Sequence, residues 1–89
     1  MKLILAIVPD TVSDAVSQAL TSHNFRVTGI ASTGGFLRRG RTTLMIGVED
    51  DQLQQALDQI RAALPPQPPD SKESRAVVFV LKVDHFDHF

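Results

Sequence analysis

Arginine is the residue of this chain best placed to do chemistry, and it is unevenly spread. Residues 15–48 contain no Asp or Glu, yet they hold Arg26, Arg38, Arg39 and Arg41, four of the chain's six arginines. Guanidinium groups are permanently charged forks that match phosphate and carboxylate oxygens, so this stretch reads as a local anion-attracting zone. Acid returns at once with Glu49, Asp50 and Asp51. Within the zone, GFLRRGRT (35–42) falls one residue short of the phosphate-loop pattern G-x-x-x-x-G-K-[ST], with Arg41 at the Lys position. That loop works because a helix N-terminus follows it and aims N–H groups at phosphate. Here TLMIGV follows and reads as a strand, so the phosphate-loop reading is set aside. What remains is simpler: glycines let backbone N–H groups approach an anion, and the arginines supply forks. A solvated Arg-Gly turn is the alternative for the same residues.

Asn24, Arg26 and Thr28 share one parity and lead toward that segment, offering an amide, a guanidinium and a hydroxyl, a set suited to a phosphorylated ligand or nucleotide. The plainer alternative is a solvent-facing polar strand face, with Asn24 a helix cap. Phe36 either stacks on a base or folds back over the core. In the tail DHFDHF, Asp84, His85, Asp87 and His88 have ligand chemistry, but His85 and His88 point to opposite faces of an extended chain, and His23 is remote in sequence. No metal is expected. For catalysis there is no Ser-His-Asp order with local support and no carboxylate inside the basic zone. Acylphosphatase-like hydrolysis is the one enzyme reading to weigh, and the G-x-V-Q-G-V-x-x-R loop of those enzymes is absent. The expectation is a binding protein, not an enzyme.

These residues need elements to position them. Lys2 to Val8 (KLILAIV) is apolar at both parities and reads as a strand buried on both faces. PDTVSDAVSQALTSHN reads as a helix opened by a Thr11/Asp14 capping box and ending near Asn24. Phe25 to Ala31 alternates, with Phe25, Val27, Gly29 and Ala31 on one face and Arg26, Thr28 and Ile30 on the other. Residues 32–42 form a glycine- and arginine-rich loop, and Thr43 to Val48 a second strand apolar on both faces. Asp50 or Asp51 is placed to cap a helix that carries Leu53, Ala56, Leu57, Ile60 and Leu64 and that Pro65 stops. Residues 64–75 make a stiff Pro-rich connection, and Ala76 to Val83 a last strand.

The order β-α-β-β-α-β predicts an α+β, ferredoxin-like fold, a four-stranded antiparallel sheet with both helices on one face. Its first and third strands are central and its last strand lies at an edge. Two helices cover one sheet face, yet three of the four strands are apolar on both, so the uncovered face predicts a homo-oligomer. At 89 residues and 9.8 kDa the chain allows one domain, residues 1–89, which hides roughly 64% of its unfolded surface. The absence of Cys excludes disulfide scaffolds, thiolate zinc sites and thiol catalysis, and fits a cytoplasmic protein. A net charge of -1 argues against binding nucleic acid polymers, and the apolar runs are too short for a membrane span.

The strings MKLILAIVPD, SHNFRVTGIASTGGFLRRGRTTLMIGVEDD and AVVFVLKVDHFDHF resemble the bacterial cyclic di-AMP receptor proteins of the PII-like (nitrogen regulatory protein-like) superfamily, without a gap from Met1 to about Asp51. The resemblance implies a homotrimeric, cytoplasmic signal-transduction protein with sheets packed around a three-fold axis and cyclic di-AMP, rather than a cofactor, in each inter-subunit cleft. It assigns ligand contacts to Asn24, Arg26, Thr28, Gly35, Phe36, Leu37 and Gly47, with Phe79 and the penultimate residue, His88, closing the pocket. Arg41 stands where the family usually has Asn, and His88 where it has Gln. The long Gly-rich loop before the last strand, through which the family is thought to signal to partners, is reduced to LPPQPPDSKESR, and the downstream protein is unknown. ATP, ADP or another phosphorylated metabolite, or a ligand-free interaction trimer, are the alternatives these departures leave open.

Overall fold

The structure is a computed structural model and describes residues 1–31, 40–65, 76–85 and 87. Its elements follow the expected order: β1 (Lys2–Pro9), α1 (Asp10–Thr21), β2 (Arg26–Ala31), β3 (Arg41–Val48), a one-turn 3₁₀ helix (Asp50–Gln52), α2 (Leu53–Ala63) and β4 (Val77–Lys82). All pairings are antiparallel and the strand order is β2-β3-β1-β4, so β1 and β3 are central and β4, apolar at both parities as well, lies at an edge. The fold is ferredoxin-like α+β.

Alternation decides which side of the sheet is core. Ile4, Ala6 and Val8 of β1 and Leu44, Ile46 and Val48 of β3 are buried, and they pack with Val16 and Leu20 of α1 and Ala56 and Ile60 of α2. Leu3, Leu5 and Ile7 point the other way, to a face the helices leave open. Three rows cross that open face. Arg26, Gly47, Leu3 and Leu81 form the first; Thr28, Met45, Leu5 and Phe79 the second; Ile30, Thr43, Ile7 and Val77 the third. β4 is exposed on both faces, with Val78 and Val80 open on the helix side as well.

Four boundaries differ from expectation. Thr11 and Asp14 form no capping box: α1 begins at Asp10 with Pro9 in the cap position. Asp10 is instead tied to the start of β3, its N–H donating to the Gly40 carbonyl at 2.7 Å and its carboxylate accepting from the Thr42 hydroxyl. The helix ends at Thr21, and the chain then closes on a left-handed residue, Asn24, with φ 68°. There the Phe25 N–H reaches the Leu20 carbonyl at 3.0 Å and the Asn24 N–H that of Thr21 at 3.0 Å, the paired bonds of a Schellman close. Asn24 therefore stands in a turn and does not continue the alternation of Arg26 and Thr28. β3 begins at Arg41, two residues before the expected Thr43, because Thr42 and Arg41 pair with Val8 and Pro9. Finally, Glu49 rather than Asp50 or Asp51 opens the second helical segment, with the Gln52 side chain accepting from the Glu49 N–H at 3.1 Å. Asp50 is engaged elsewhere, by the Met1 amine at 3.1 Å. α2 ends with Leu64 extended ahead of Pro65, as the residue before a proline should be.

Candidate functional site

A shallow hollow of about 430 Å³ opens at one end of the uncovered sheet face. β2 contributes Arg26 and Thr28, which its two-residue period turns away from the core while Val27 packs inward. β3 supplies Met45 and Gly47, and β1 supplies Leu3. Met1 and Val83 complete the rim, brought together because the Val83 N–H donates to the Met1 carbonyl at 3.1 Å and extends the β1/β4 ladder by a step. Gly47 sits at the middle of its row, between Arg26 and Leu3. A side chain there would crowd Met1, whose Cε lies 3.3 Å from the Cβ position.

The electrostatics of this end are simple. The Arg26 side chain is exposed, and the Asp50 carboxylate is held at the Met1 amine. That hydrogen bond and charge, with smaller help from Lys2 and Lys82, hold the Asp50 carboxyl below its ordinary value of 3.8. An apolar floor with a guanidinium and a hydroxyl at one wall can take a ligand that is part flat and apolar, part anionic.

Of the residues singled out in the sequence, Arg26, Thr28 and Gly47 meet in the hollow. Phe79 lies on the same face in the Thr28 row but on β4, two strands from Met45, about 10 Å away by strand spacing. Arg41 is half-buried at the far end of β3, six residues from Gly47, about 20 Å along the strand. Asn24 is exposed in its turn and does not line the hollow. Gly35, Phe36, Leu37 and His88 lie outside the described residues, as does most of the 32–42 loop and of the 64–75 connection. In the tail, His85 Nε2 pairs with Asp87 at 3.0 Å, and among the described residues no group of three or more potential metal ligands occurs. Met1, Leu3, Met45 and Val83 were not singled out in the sequence. Parity exposes Leu3 and Met45 to the open face, but only the pairing register brings them beside Arg26 and Thr28.

The family model of the cyclic di-AMP receptors matches residues 1–67. The chain belongs to the cyclic di-AMP receptor family. The match spans β1 through α2 and so includes Arg26, Thr28 and Gly47. Among solved structures, the crystal structure of a functionally unknown protein from Pediococcus pentosaceus is 36% identical, covers 99% of this chain and 96% of its own, and superposes with a TM-score of 0.77. No helix among the described residues is long and apolar enough to cross a membrane.

Proposed function

We propose that the protein is a cytoplasmic PII-like sensor that binds cyclic di-AMP without turning it over, in clefts between the subunits of a homotrimer. Family membership supports the ligand, and one observation carries the site: Arg26 and Thr28 stand at the wall of a hollow floored by Gly47, on a sheet face whose other positions are mostly apolar. Arg26 forks onto a phosphate oxygen pair and Thr28 hydrogen-bonds the nucleotide, over a floor at Gly47 where a side chain would crowd Met1. The ligand carries two negative charges, so the acid-free stretch from 15 to 48 speeds its approach, an effect that salt weakens. Asn24, Gly35, Phe36, Leu37, Arg41, Phe79 and His88 are assigned to the same site by resemblance to the family. Arg41 lies about 20 Å along β3 from Gly47, and the resemblance, which puts the family's ligand between neighbouring subunits, is the reason to place the site there.

The open face supports association of subunits, and the family resemblance supports a trimer. Leu5, Ile7 and Met45 are half-buried there, and Val77, Phe79 and Leu81 of β4 are 41–50% exposed. The Pro-rich connection at 64–75 is shorter than the loop through which the family is thought to signal, so signal output is expected to differ from the family's. A second reading, an ATP or ADP sensor, draws on Arg41, which replaces an amide able to read a base edge with a further phosphate fork. Native mass spectrometry of the protein with an equimolar mixture of cyclic di-AMP, ATP and ADP tests both. Three chains retaining cyclic di-AMP are expected; retention of ATP or ADP instead favours the second reading, and a single bare chain contradicts the proposal.

A further inference from the structure

The chain has two methionines, Met1 and Met45, and both line the hollow. Met45 stands between Thr28 and Leu5 in its row. Met1 covers the neighbouring row at Gly47, where its Cε fills the space that a side chain would take. Both methionines thus line the hollow together with Arg26 and Thr28. Sulfur is polarizable and packs well against aromatic rings, typically about 5 Å from the ring. A phosphate gains nothing from such a wall; a flat base does.

We propose that Met1 and Met45 form a thioether slot for an aromatic base of the ligand, with Arg26 at its rim taking the adjoining phosphate, and that oxidation of these methionines disables the slot. The inference rests on the nucleotide reading above. Met1 is 40% exposed and Met45 half-buried, and a cleft that admits a nucleotide also admits peroxide. A sulfur lone pair attacks one peroxide oxygen, the O–O bond breaks as the S–O bond forms, and proton transfer releases water. The thioether is oxidised by two electrons to a sulfoxide, and the peroxide is reduced. The new S=O group is polar and has no partner in an apolar slot.

The test oxidises the full chain with hydrogen peroxide, with and without saturating cyclic di-AMP. With no Cys and no Trp in the chain, oxygen gained in the intact mass reports on the two methionines. Bound ligand is expected to slow that gain several-fold, and the oxidised protein to bind about tenfold or more weakly, the cost of an unpaired polar group. Methionine sulfoxide reductase restores affinity if the fold is intact. Met45→Leu, close in volume, should bind about two- to tenfold more weakly, the loss of sulfur-aromatic contact, and gain only one oxygen. Ligand binding without protection, or full affinity after oxidation, overturns the slot and leaves the sensor standing. No binding by untreated protein overturns both.

Discussion

Asn24 carries two roles that substitution can separate. Its left-handed backbone closes α1, and its amide is assigned to the ligand by resemblance. Asn24→Ala should cost about 1 kcal/mol of stability, since a Cβ without a local hydrogen bond disfavours that region, whereas Asn24→Gly should leave thermal stability unchanged. Any fall in ligand affinity in the glycine variant then belongs to the amide. Arg26→Ala should weaken cyclic di-AMP binding about tenfold or more, the worth of a hydrogen bond to a charged group, with an unchanged melting temperature because the residue is exposed. Calorimetry with both variants reads these outcomes. Arg26 and Thr28 were legible in the sequence because a two-residue period leaves no choice of face. Asn24 was not, because a helix end and a strand start differ by one backbone angle that composition does not encode. Arg41 was assigned to a loop by the glycines before it, while its pairing with Pro9 depends on a distant strand.

At the scale of elements, the buried alternation of β1 and β3 is the fold's main support. Ile46→Ala, at a position with 0% exposure, should cost about 2–5 kcal/mol in denaturant unfolding. The start of the second helical segment titrates. Asp50 has its folded pKa below the ordinary 3.8, so its pairing with the Met1 amine stabilises the protein above that pH and is lost as pH falls through the lowered value. Asp50→Asn should therefore melt below the unsubstituted protein at pH 7, by a small margin given its exposure, and the two should converge in strong acid. A gap that persists there would remove the ion pair as its cause. Element order was legible from the apolar periods, and strand centrality from the β-α-β-β-α-β order, since β4 is apolar at both parities yet lies exposed at the edge. The helix starts were not: Thr11 and Asp14 spell a capping box, but contacts of Asp10 with Gly40 and Thr42, thirty residues on, decide where α1 begins.

The whole molecule leaves an apolar sheet face and an uncovered edge strand, which one chain of this size cannot bury. Leu5→Glu places a charge at the centre of that face, away from the helix-side core. If the proposed trimer packs through this face, the variant should sediment as single chains while circular dichroism stays unchanged; a trimer that persists in the variant would move the interface elsewhere. The excess of apolar positions over helix cover was legible, and the structure leaves that face open, but the place where Arg26, Thr28 and Gly47 meet depends on register, which no single segment carries. The most direct measurement is a calorimetric titration of the full chain with cyclic di-AMP at fixed salt and pH. Micromolar or tighter binding near one ligand per chain is the predicted result. No heat, together with no displacement of a bound nucleotide by cyclic di-AMP, would contradict the sensor reading and leave a family fold that serves a different ligand or none.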